Sequence, residues 1–168
     1  MNEKSLRVLE FNKIIDKLKT KASSSLGLKH IENLKPSNDF DEVKNTLLET
    51  SEAQAILIKR GLVSMDGIHD IEDKAKRAHV GATLDPGALL KIADCLRVAR
   101  SLKRNLEGSE EEDFNYPIIQ ALTNALYTFR DIEDRIYTSI VGESEISDNA
   151  STTLKTIRRR IVQKNQSC

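Results

Sequence analysis

The sequence predicts an all-α protein, an irregular multi-helix bundle with a long final helix and at most one tiny β-hairpin. Three observations predict it. Only seven Gly and three Pro punctuate 168 residues. Apolar residues recur at three- and four-residue spacing along most of the chain. Helix-start signals stand in front of several of those stripes.

Taken in order, Ser5 can cap a first helix from Leu6 to about Lys19, with Leu6, Leu9, Ile14 and Leu18 at helical spacing. Ser23, Ser24 and Ser25 form a break and a cap. A short second helix follows, with Leu26, Ile31 and Leu34 inward. Lys35-Pro36 stops it, because proline disfavours helical backbone in the residue before it. Asn38 or Asp39 caps a third helix, and Glu42 supplies the acid of a capping box. Phe40, Val43, Leu47, Ala53, Ile56 and Leu57 mark its buried stripe, and Gly61 fits the left-handed position after its end.

Leu62 to Gly67 reads as a loop, and Ile68 to about His79 as a short helix closed by Val80-Gly81. Asp85-Pro86 is the clearest start signal, with a cap followed by a residue preset for the first turn. Its helix runs to about Glu107 through Leu89, Ile92, Ala93, Leu96, Ala99, Leu102 and Leu106. Glu107, Glu110, Glu111, Glu112 and Asp113 then form an acidic loop, read as a solvated surface. Pro117 opens another helix, and a further one holds Ile132, Ile136 and Ile140. Val141 to Ser147 is a turn or a very short hairpin. Ser147 or Asp148 caps the last helix, from Ala150 onward, with Leu154, Ile157 and Ile161 on one stripe. No stop signal ends it before Cys168, so the expectation is a longer polypeptide.

Lys and Arg total 26, as do Asp and Glu, so the net charge is zero. That excludes a uniformly basic nucleic-acid binder and leaves room for a local basic patch. With no long apolar run and no signal-like opening, the expectation is a cytoplasmic chain without a membrane partner. Cys95 and Cys168 cannot make a disulfide framework. No Gly-rich phosphate loop is present. His30, His69 and His79 have no metal-ligand spacing. Cys95 reads as a small hydrophobe in mid-helix. Ser23 to Ser25 have no His-Asp partner that spacing can supply. Pairs such as Asp131/Arg135 read as surface support. On residues alone the chain is a binding or scaffold module, with no catalytic, cofactor or metal residue.

One charge feature is asymmetric. No acid follows Asp148, while Lys155, Arg158, Arg159, Arg160 and Lys164 lie on the last helix. These five are the candidate nucleic-acid contacts. If all met phosphates, the log–log salt slope would be about -4.5. The competing interpretation is an ordinary solvated face. No aromatic is interleaved, so contact would be to backbone, without base readout.

Several short motifs then fall in a familiar order. Glu10-Phe11-Asn12-Lys13-Ile14 followed by Ser25-Leu26-Gly27 resembles the opening of bacterial MutS-type ATPases. Leu34-Lys35-Pro36 and Thr50-Ser51-Glu52-Ala53 resemble its next two motifs. Ile146-Ser147-Asp148-Asn149-Ala150-Ser151, with Leu154 and Ile157-Arg158, resembles the stretch at the base of its long lever helix. The combination resembles the second bacterial MutS family, the one with a C-terminal Smr nuclease domain. The resemblance covers essentially the whole chain. Phe40-Asp41-Glu42 spells the F-x-E of the mismatch wedge, but it stands at a helix start, and Phe40 is read as a core or staple residue.

The resemblance implies two regions, a helical core over 1–147 and the start of a lever helix over 148–168. The ATPase and Smr domains would lie outside this chain. For the full-length protein it implies a homodimer that binds ATP, Mg and DNA, an endonuclease, suppression of homologous recombination, and action on collided ribosomes. The fragment itself is expected to be no enzyme and to couple the ATPase to DNA- or ribosome-engaging arms. A self-contained helical adaptor for a protein partner is the alternative.

Overall fold

A computed structural model describes residues 3–61, 64–107 and 115–166. Among these residues the chain forms nine α-helices, one 3-10 turn and one two-stranded antiparallel hairpin. No helix among them is long and apolar enough to cross a membrane. The packing divides into two units. One comprises Met1–Ile68 and Val98–Tyr127, the other His69–Arg97 and Thr128–Cys168.

In the first unit, α1 (Glu3–Val8) and α2 (Phe11–Lys19) replace the single helix expected from Leu6 to Lys19. Ser5 lies inside α1 rather than capping it. The break falls at Glu10, which is left-handed at φ 55° and ψ 32° and salt-bridged to Lys13 at 2.6 Å. Such a backbone costs a non-glycine residue about 1–2 kcal/mol. No Gly, Pro or Asn marks it in the sequence, and the joint lets α1 turn against α2. Helix α3 (Ser25–Glu32) starts as expected, with Ser24 Oγ accepting from Gly27 N–H at 3.0 Å. Ile31 is buried, whereas Leu26 is exposed.

Helix α4 (Phe40–Arg60) is capped by Asp39, whose carboxylate accepts from the N–H groups of Asp41 and Glu42. The box closes through Ser37. Its hydroxyl donates to the Glu42 carboxylate and accepts from Asp39 N–H. At the far end Gly61 has φ 78° and ψ -170°, a region open essentially to glycine alone. The expected buried stripe is only half realised. Ile56 is buried and Ala53 half-buried, but every residue from Phe40 to Ser51 is exposed, Phe40 at 77 %. Phe40 is therefore neither core nor staple. Periodicity identifies an apolar face; it does not supply the neighbour that would cover it.

Helix α7 (Pro117–Asn124) packs on the buried end of α4. Val98, Leu102 and Leu106 of α6 (Pro86–Leu106) belong to the same unit, with Val98 fully buried. An apolar cavity of about 290 Å³, lined by Ile56, Met65, Leu102, Ile119 and Leu126 among others, holds no ionisable side chain.

In the second unit, α5 is Glu72–His79, four residues shorter at its start than the sequence predicts. The backbone of His69 is held instead by Cys95. Its N–H donates to Sγ at 3.1 Å, and the thiol donates to its carbonyl at 3.3 Å. Asp85 caps α6 through Ala88 N–H at 2.8 Å. Ala88 and Ala93 are buried beneath this half of the helix. Helix α8 (Arg130–Ser139) ends one residue before Ile140, which turns extended and buried as the first residue of strand β1 (Ile140–Gly142). Within it Arg130 pairs with Asp134, and Asp131 and Arg135 form no ion pair with each other. Tyr137 of α8 donates to Asp94 of α6 at 2.6 Å. Strand β2 (Glu145–Ile146), the 3-10 turn (Asp148–Ala150) and α9 (Thr152–Asn165) complete the unit.

Candidate nucleic-acid interface

Helix α9 leaves the hairpin through a run of short-range bonds. Ile140 pairs with Ile146, and Gly142 with Glu145. Ser147 N–H donates to Ser139 O at 2.8 Å, tying the returning strand to the end of α8. Ser147 Oγ accepts from Asn149 N–H and starts the 3-10 turn. The α9 cap is Ser151, which accepts from Leu154 N–H at 3.0 Å. The cap that the sequence predicts, Ser147 or Asp148, is not the one observed, because the 3-10 turn intervenes.

Arg158, in the second turn of α9, reaches back across this joint. Its Nη1 donates to Asp148 Oδ1 at 2.6 Å and to Ile146 O at 2.9 Å. One guanidinium thus ties together β2, the 3-10 turn and α9. Both side chains of the pair are about half exposed, so its net worth is at most about 1 kcal/mol. Its effect is to hold α9 in one direction relative to the hairpin. Beside the pair opens a cavity of about 420 Å³, lined by Asp148, Arg158, Arg159, Val162 and Gln163.

The other four predicted cations separate into two groups. At about 100° per residue, Lys155 and Arg159 are helical neighbours on the Arg158 side of the Leu154/Ile157/Ile161 stripe. Arg160 and Lys164 are neighbours on the other side. Arg159, Arg160 and Lys164 are exposed and Lys155 is half-buried. None of these four has an ion-pair partner among the described residues. The stripe between the groups is itself open, with Ile157 at 49 % and Ile161 at 53 % exposure. The five positive charges therefore comprise one engaged at the base of the helix and two pairs on opposite flanks.

A second assembly, in the first unit, joins residues far apart in the sequence. Glu52 projects from α4 to the start of α7, where its Oε2 accepts from Ile118 N–H at 3.0 Å and Ile119 N–H at 2.9 Å. Tyr116, the residue before α7, offers no side-chain cap. Pro117 has no N–H, and Gln120 N–H reaches Tyr116 O at 2.8 Å. Every donor in the first turn of α7 is accounted for only because Glu52 is there. That Pro117 follows a residue unable to cap is the signal that could have raised the question.

Of the acidic loop, Glu107 is exposed, and Glu110, Glu111, Glu112 and Asp113 lie outside the described residues, as does Cys168. Among the described residues no three His, Cys, Asp or Glu side chains could hold a metal ion.

No protein-family model matches the chain. Individual relatives do. It is 71% identical over 167 residues to Endonuclease MutS2 of Clostridioides difficile (strain 630), covering 99% of this chain and 21% of that protein. It is 47% identical over 165 residues to Endonuclease MutS2 of Alkaliphilus oremlandii (strain OhILAs), covering 98% and 21%. For Endonuclease MutS2 of Acetivibrio thermocellus the identity is 50% over 161 residues, covering 96% and 20%. The chain thus spans about a fifth of the length of the curated relatives it matches. The motifs of the sequence coincide with the joints of the structure. Ile146, Asp148, Ser151 and Arg158 build the base of α9, and Glu52 joins α4 to α7. By identity over nearly its whole length to the N-terminal region of these proteins, the chain belongs to the MutS2 family.

Proposed function

We propose that this chain is the helical coupling segment of a MutS2-type DNA-binding ATPase and endonuclease. Its own part is mechanical: α9 is the start of a lever, set at a fixed angle by its joint with the hairpin. The observation that carries this reading is that joint, in which Arg158 bonds Asp148 and Ile146 while Arg159, Arg160 and Lys164 on the same helix are exposed and Lys155 is half-buried. A helix bonded to the hairpin at its base and charged along its shaft can pass a displacement to, or from, a phosphate backbone. ATP hydrolysis with Mg, nuclease chemistry, homodimerisation, suppression of recombination, action on ribosomal RNA in collided ribosomes and a cytoplasmic location belong to the longer protein in this reading.

The test is binding of duplex DNA by the 168-residue chain over a salt series. If one flank of α9 meets phosphates, the slope is about -1.8, and if both do it is about -3.6. Replacing Lys155, Arg159, Arg160 and Lys164 with Ala should abolish the salt-sensitive binding. Binding unchanged in that variant would place the contacts elsewhere. A second reading, a helical adaptor for a protein partner, draws on the exposed apolar stripe of Phe40, Val43 and Leu47. It predicts capture of a partner that is lost in Phe40→Asp and kept when the α9 cations are removed.

A further inference from the structure

We propose that Asp148 masks Arg158 from phosphate, making the base of α9 an autoinhibitory contact that a phosphodiester backbone opens. This rests on the reading of α9 as a backbone-binding helix.

Lys155 and Arg159 share the Arg158 side of the helix and have no ion-pair partner among the described residues. Arg158 alone has its charge matched, at 2.6 Å. The open cavity beside it is lined by Asp148, Arg158 and Arg159 together with Val162 and Gln163. A phosphate entering there is attracted by Arg159 and repelled by Asp148. It also competes with Asp148 for Arg158, whose planar fork suits phosphate as well as carboxylate. Phosphate can displace Asp148, because the protein pair is half exposed and weak. Once Arg158 turns to the phosphate, Ile146 O and Asp148 lose their shared donor, and the hairpin no longer holds α9. The coupling is reciprocal, so whatever releases Arg158 strengthens phosphate binding.

The experiment compares duplex-DNA binding by the wild-type chain, Asp148→Asn, Asp148→Asn with Arg158→Gln, and Glu145→Gln, across a salt series. Asp148→Asn should bind about three- to tenfold more tightly at low salt with an unchanged slope, because Arg158 meets phosphate in both complexes. The double variant should lose that gain, and its slope should be shallower by about 0.9. Glu145→Gln changes the net charge equally, from an exposed strand position without an ion pair among the described residues, and should leave the affinity near that of the wild type. A separate readout is hydrogen exchange at Ser147 N–H, bonded to Ser139 O in the free chain, which DNA should accelerate in the wild type and Glu145→Gln but not in the double variant. Wild-type binding that Asp148→Asn leaves unaltered overturns the mask and spares the reading of α9. An equal gain from Glu145→Gln also overturns the mask, reducing it to general charge repulsion. Binding by Asp148→Asn where the wild type shows none supports it. No binding by any variant overturns both readings.

Discussion

Replacing Glu52 with Ala removes the acceptor of two N–H groups at once. Ile118 and Ile119 point at Glu52 Oε2 from 3.0 and 2.9 Å, and among the described residues no other acceptor takes these two N–H groups. A hydrogen bond to a charged group contributes about 1.5–3 kcal/mol, and losing a helix cap costs about 0.5–2 kcal/mol. The two figures describe the same bonds, so they do not add. Glu52 is half-buried, which keeps water from replacing it fully. The expected cost of Glu52→Ala is about 2–3 kcal/mol, or about 10–15 °C in the melting of the unit that contains it. Glu52→Gln keeps a neutral acceptor and should cost about half as much. Urea unfolding gives the free energies, and hydrogen exchange at Ile118 and Ile119 reports the two bonds directly. A Glu52→Ala loss under about 0.5 kcal/mol, or unchanged protection at both amides, would refute the account of α7 as a helix capped from across the unit.

Two further outcomes follow from local geometry. Gly61→Ala should destabilise the chain by about 1–3 kcal/mol in urea unfolding, purely through backbone strain. An added Cβ meets nothing within 4 Å, so a neutral result would mean that the end of α4 is not held at φ 78°. Burial first, then the bond to Asp94, push the Tyr137 phenol above its ordinary value of 10. Since the folded-state value is the higher one, its stabilisation is complete below about pH 10 and is lost as pH rises through the elevated value. Phenolate absorbance should therefore show a late-titrating component that Tyr137→Phe removes, with a stability loss at neutral pH of about 1 kcal/mol.

What was legible beforehand depended on how far apart the interacting groups are. Ser24, Asp39 and Asp85 cap helices within three residues of themselves, so their chemistry shows in a short window of sequence. The hairpin and the apolar stripes of α6 and α9 are likewise local patterns. Contacts between distant residues decided the rest. The start of α5 moved because His69 bonds Cys95, 26 residues away. Glu52 and Ile118 are 66 residues apart, and neither is unusual where it stands. Of the basic residues on α9, spacing distributes them correctly around the helix. It gives no hint that Arg158 folds back ten residues to Asp148. Glu10 is the least predictable, because a left-handed glutamate is a backbone cost that only packing can impose.

The uncovered half of α4 separates two things commonly measured together. From Phe40 to Ser51 the helix touches water on every side, and a stretch of that length is marginal without tertiary support. Ellipticity from this protein counts turns that belong to no core. Its amplitude can fall on warming while the packed ends around Ile56 and Val98 stay intact, so a spectroscopic melt and a calorimetric one need not coincide.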